Sequence, residues 1–220
     1  MGWFQNSRRP TRKLATVQAE PKAPAVRPPT GFLSWAMLSR PDGSQVACML
    51  RRMTATDAMT LVSWPEPTYF DWLGLLEGRA SGRQTRAGVS YEKAVRLQVI
   101  ETFPTAEDPP QIVGAIALCD RPKDRPDALE LAYLERSPLS HLTGFGTAAL
   151  ALSLLDARDK GLAFFLDALL KSRSNEFYSH QGLVEVDGTP WPTVTVRMAF
   201  PSRDAEQCFL AKVRDLLIIP

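Results

Sequence analysis

Ala128-Leu-Glu-Leu-Ala-Tyr-Leu-Glu-Arg-Ser-Pro-Leu-Ser-His-Leu-Thr-Gly144-Phe-Gly146-Thr-Ala-Ala-Leu-Ala-Leu-Ser-Leu154 decides the reading of this 220-residue chain. An apolar strand runs into a glycine-bearing loop that opens a helix, a layout suited to holding a phosphate. Gly144 and Gly146 carry no Cβ, so the backbone can approach a ligand closely. The free N–H groups of a first helical turn point outward there, with the positive end of the helix dipole behind them. The expected guest is a pyrophosphate.

A lone Gly-x-Gly is weak evidence, and its flanks supply the rest. His141-Leu-Thr-Gly144-Phe-Gly146 resembles the acyl-CoA loop of the GNAT acetyltransferase superfamily, Gln/Arg-x-x-Gly-x-Gly/Ala at a helix start, with Pro138 three residues ahead. One helix and one strand later, Lys171-Ser-Arg-Ser174-Asn-Glu-Phe177-Tyr178-Ser-His-Gln-Gly182-Leu183 resembles that superfamily's closing motif, Asn-x-x-Ala/Ser-x-x-Phe/Leu-Tyr-x-x-x-Gly-Phe. It matches at Ser174, Phe177, Tyr178 and Gly182 and departs at Lys171. The resemblance spans roughly Ala47 to Phe200 and is specific from Leu129 to Leu183. His141 replaces the usual Gln or Arg. Glu135 and Arg136 stand where the family's strand presents small apolar residues, which implies a bulge or a one-residue shift in that strand.

The resemblance implies an α/β (α+β) fold, a twisted mixed sheet of about six to seven strands flanked by helices, with acetyl-CoA as acyl donor and no metal. Donor contacts are expected from Leu134, Arg136, His141, Leu142, Thr143, Gly144, Phe145, Gly146, Thr147 and Ser174. It implies that Tyr178 protonates the departing thiolate. A carboxylate must also take a proton from the acceptor amine, whose pKa is about 10.4. Glu130 stands eleven residues before His141, the offset at which the resemblance to the superfamily's histone-acetyltransferase branch implies a glutamate base, and it faces away from Leu129 and Leu131; it is the first candidate base and Glu135 the second. The expected activity is acetyl transfer to a primary amine of a small molecule or protein. Two alternatives stand beside it: an inactive acyl-CoA-binding or interaction module on the same fold, and a nucleotide-binding α/β domain. Three consecutive strands before the glycine loop argue against the latter, since doubly wound folds alternate strand and helix.

Composition agrees with one globular domain: 45% of residues are apolar and 23% charged. No apolar run approaches the roughly 18 residues of a membrane span. The net charge of +2 divides unevenly, +5 over residues 1–30 and −3 over the rest. A nucleic-acid surface on the folded part is therefore not indicated, and only the tail offers weak attraction to RNA or anionic lipid. Cys48, Cys119 and Cys208 lack metal-ligand spacing and read as reduced packing residues of a cytoplasmic protein. Homodimerisation is left open.

Residues 1–30, rich in Pro, Ala and basic side chains, are expected to be disordered. Residues 31–200 form the donor-binding domain, and 201–220 a C-terminal amphipathic helix packed on it. Within the domain, 31–38 reads as a short strand or helix, and Thr56-Asp57 as the cap of a helix to Ser63. Residues 95–103 and 111–118 read as a hairpin, 144–159 as a helix, and 183–187 with 193–200 as a closing hairpin. The aromatic run Trp64 to Trp72 serves either as the lip of a pocket or as core.

Overall fold

The computed structural model describes residues 34–66, 68–77, 95–103, 109–170, 174–187 and 194–218. The basic tail, residues 78–94 and Lys171 lie outside the described residues. Strands β1 (Ser34–Ser39), β2 (Gln45–Arg52), β3 (Arg96–Thr102), β4 (Ile112–Asp120), β5 (Ala128–Arg136), β6 (Ala163–Leu169), β7 (Val184–Glu185), β8 (Thr195–Ala199) and β9 (Leu217–Ile218) form one sheet. Their order is β7-β8-β6-β5-β4-β3-β2-β1-β9. All neighbours are antiparallel except β5 and β6, which run parallel because α3 (Phe145–Asp159) crosses between them.

Nine strands exceed the six or seven expected. The surplus lies at the edges: residues 34–39 resolve as strand and not helix, β9 is added outside them, and β7 has only two residues. The C-terminal helix α5 (Arg203–Lys212) stops earlier than the sequence suggests. Val213, 5% exposed, packs into the core, and a 3-10 turn then returns the chain to the open edge of β1. Helix α1 (Ala55–Val62) likewise starts one step before the expected cap. Thr54 is its N-cap, and Asp57 completes a capping box, its carboxylate accepting the Thr54 N–H.

Alternation along the strands builds two apolar layers. Leu129 and Leu131 of β5, with Phe164 and Leu166 of β6, face a cluster under α3, α4 (Ser174–His180) and α5. On the opposite face Leu97, Val99, Ala115, Ala117 and Tyr133 meet α1 and α2 (Trp72–Leu76). Strand β4 is covered on both faces, which is why Ile112 to Cys119 reads as an unbroken apolar run. Trp64 and Trp72 sit in the second cluster and belong to the core, while Tyr69 is 41% exposed and Trp64 also lines a cavity. A fully buried side chain of that size contributes about 3 kcal/mol or more. No helix among the described residues is long and apolar enough to cross a membrane.

Candidate functional site

The two parallel strands pair only where they begin. Their ladder joins Ala128–Leu131 to Ala163–Leu166, after which β5 continues to Arg136 and β6 to Leu169 without pairing to each other. A register shift in the β4–β5 ladder between Ala117 and Leu118 leaves Ala132 as the extra residue of β5, at the point where the strands part. It is a bulge, one of the two explanations open for Glu135 and Arg136. Ser137 donates its N–H to Val113 of β4. Backbone groups alternate sides along a strand, so Glu135 and Tyr133 face β4 as well. Leu134 and Arg136 aim their N–H and C=O groups into the opening that β6 leaves.

The N-terminus of α3 lies at the wide end of this opening. Gly144 is its N-cap with φ +91°, a conformation costly for any residue bearing a Cβ, and no side chain caps the helix. The first-turn N–H groups of Phe145, Gly146 and Thr147 are thus left to a ligand. Two aromatic rings hold that turn. Phe145 lies against Gly114 of β4, where a Cβ would come within 2.5 Å of the ring, and Phe177 of α4 lies against Gly146. The approach loop is tied down at its far end, where Thr143 and Ser39 of β1 exchange backbone hydrogen bonds of 2.8 and 3.2 Å. Arg136 donates to the Ser140 carbonyl at 2.7 Å, bracing the loop from β5.

No protein-family model and no curated protein matches this sequence. Among solved structures the chain is similar to apo FdhC, a nucleotide-linked sugar GNAT, at 12% identity and TM-score 0.54 over 85% of this chain and 98% of the other. It is also similar to an uncharacterized protein of Bacillus halodurans, at 10% identity and TM-score 0.55 over 83% and 97% of the two chains. The chain has the GNAT fold. At such identities the likeness concerns the fold, and the parted strands with the glycine-capped helix are its local expression here.

Within this GNAT fold the second motif resolves into separate jobs. Ser174 opens α4 with its hydroxyl on the Leu169 carbonyl at 3.1 Å, binding the helix to the end of β6. Gly182, φ +96°, stops α4: the Leu183 N–H returns to the Tyr178 carbonyl and the Gly182 N–H to Ser179. Tyr178 is 7% exposed in the cluster beneath α3, and burial pushes its phenol up to about 12. It therefore stays protonated at neutral pH. His141 and Thr143 are exposed at the loop surface, whereas Leu142 packs on the main cluster.

The carboxylates are disposed unequally. Glu130 is 1% exposed, on the face opposite Leu129 and Leu131, at a position still within the paired ladder. Glu135, the second base candidate, is committed to structure. Its oxygens accept the Trp72 indole N–H at 2.6 Å and the backbone N–H groups of Tyr69 and Phe70, anchoring the entry to α2 on β5.

Asp167 is the first β6 residue past the ladder, and both its oxygens accept from Arg197 of β8, at 2.8 and 3.1 Å. Arg197 also donates to Asp124 and lies 4.4 Å over the Phe165 ring. Sequence reasoning passed over this pair. A single charge in each of two otherwise apolar strands, Phe164-Phe-Leu-Asp-Ala and Thr195-Val-Arg-Met-Ala, was the available signal, because such charges are buried only when paired.

Proposed function

We propose that this protein is an acetyl-CoA-dependent N-acetyltransferase acting on a primary amine of a small molecule or protein. The observation that carries the reading is the open backbone of Leu134 and Arg136 beside a glycine-capped helix. Together they offer hydrogen bonds for an extended amide-bearing arm and orphan N–H groups for its pyrophosphate. In this reading the donor lies along β5 with its phosphates at Gly144 to Thr147, between His141, Leu142 and Thr143 on one side and Ser174 on the other. Its thioester reaches the bulge at Ala132.

A neutral amine attacks the thioester carbon, forming the new C–N bond, and the oxyanion meets a backbone N–H of β5. Glu130 takes the ammonium proton through water. Collapse of the tetrahedral intermediate breaks the C–S bond, and Tyr178 gives the leaving thiolate its proton. Burial keeps that phenol in its proton-bearing form at neutral pH and also makes it a weaker acid than a free phenol.

One observation favours a second reading, a donor-binding module without turnover. Glu130 lies within the closed part of the ladder and Glu135 is held by Tyr69, Phe70 and Trp72, so no carboxylate among these two stands in the opening. Calorimetry with acetyl-CoA, followed by thioester consumption across a panel of amines and peptides, separates the readings. Binding with turnover supports the transferase, binding without turnover supports the module, and no binding ends both.

A further inference from the structure

A cavity of about 930 Å³ lies on the other side of the loop 137–142 from the donor opening, and the proposed reaction makes no use of it. Its walls are one side of α1, the ends of β2, β3 and β4, and the loop itself. Trp64, Phe103 and Pro110 give it an apolar and aromatic lining, and the hydroxyl of Thr60 stands on the α1 wall. Asp57 and Glu101 are its deepest charges, with side chains 8% and 14% exposed. Both are bound to one guanidinium, that of Arg51, at 2.6 and 2.7 Å, so two negative charges share a single positive one. Among the described residues that line the cavity, the cation Arg40 is exposed at its mouth, where water and salt screen it. The interior potential is therefore negative, beside aromatic rings of the kind that attract cations.

We propose that this cavity binds an organic ammonium ion with an apolar body, the charge at Glu101 and the body against Trp64 and Phe103. The cavity shares the loop residues His141 and Leu142 with the donor opening, but the residues that would hold the ion, Glu101, Trp64 and Phe103, lie outside that opening, and the site's existence does not depend on acyl transfer. The ion is either the acceptor itself or a separate, unreacted ligand, and one experiment distinguishes them.

The test is titration of the full chain, without any acyl-CoA, with butylammonium, benzyltrimethylammonium and butyrate, read by calorimetry and tryptophan fluorescence. Both cations are expected to saturate at or below about 1 mM while butyrate does not bind. Glu101→Gln is expected to weaken both at least about tenfold. Because Glu101 also holds Arg51, Thr60→Trp is the second variant: it narrows the cavity from the α1 wall, leaves the ion network intact and is expected to weaken binding at least about tenfold. Absence of saturation by either cation up to about 10 mM, equal binding of butyrate, or unchanged affinity in Thr60→Trp would overturn the proposal. Where the cations bind, acetyl-CoA is then added. Recovery of butylammonium as its amide identifies the acceptor, and its recovery unchanged, with binding retained, identifies a separate ligand.

Discussion

The ring of Phe177 occupies the space that a side chain on Gly146 would need: a Cβ there would lie 3.0 Å from Cζ of the ring. The glycine thus serves packing between α3 and α4 as well as access to the first-turn N–H groups. Gly146→Val is expected to cost about 1–3 kcal/mol through overpacking, read as a fall in denaturation midpoint. In a Phe177→Ala background most of that extra cost should vanish, a coupling of about 1 kcal/mol. Strictly additive losses would show that the ring does not set the requirement.

Gly144 presents the opposite case. A Cβ there meets only Leu38 at 3.7 Å, so there is room, but φ +91° disfavours it. Gly144→Ala should destabilise by about 1–2 kcal/mol from backbone conformation alone. Gly144→Val should in addition weaken acetyl-CoA binding at least about tenfold, or about 1.4 kcal/mol. Calorimetry showing wild-type affinity in a folded Val variant would remove the phosphate-loop argument.

Tyr178→Phe retains the ring in its apolar site and removes only the hydroxyl. Acetyl-CoA binding is expected to persist while turnover falls roughly 10²-fold. The raised phenol pKa also has a stability consequence. Its contribution is fully present below the unfolded value near ~10 and is lost as pH rises toward about 12. The wild type should therefore weaken across that alkaline window more than Tyr178→Phe does, as urea midpoints at several pH values would reveal.

Asp57 acts at the other end of the scale. Burial raises its carboxyl, but the Arg51 and Thr54 hydrogen bonds outweigh burial and leave it below the ordinary value. A depressed folded pKa means stability present above the unfolded value of ~3.9 and lost as pH falls through the folded one. Asp57→Asn is expected to cost about 2–3 kcal/mol at neutral pH, since it breaks a largely buried pair and a capping box together. Below about pH 4 its stability should vary with pH less steeply than that of the wild type.

The parts of the fold that could be read from the sequence are those specified locally. The run from Ala128 to Leu154 declares strand, turn and helix through apolar period and two glycines. Phe177, Tyr178 and Gly182 likewise declare a short helix and its stop. What escaped depends on partners far along the chain. Nothing near Glu135 says that it will hold Tyr69 and Trp72, more than 60 residues away. Nothing near Ser39 says that its backbone will close on Thr143, 104 residues away. Gly114 resembles any residue of an apolar strand until the Phe145 ring is laid over it. The Thr56-Asp57 cap missed by two residues because Asp57 plays the third part of a capping box whose first part, Thr54, is equally ordinary to read.

Strand β1 is the first of the nine to be synthesised, and its outer neighbour, the two-residue β9 with Ala36 opposite Leu217, is the last. On the ribosome its outer row of N–H and C=O groups therefore waits while roughly 180 further residues are added, some 10 to 40 seconds at about 5–20 residues per second. An uncovered strand edge is a template for foreign chains throughout that interval. Yield in the cell should thus depend on elongation rate and on chaperones that shield nascent β edges, even for variants whose finished stability is unchanged.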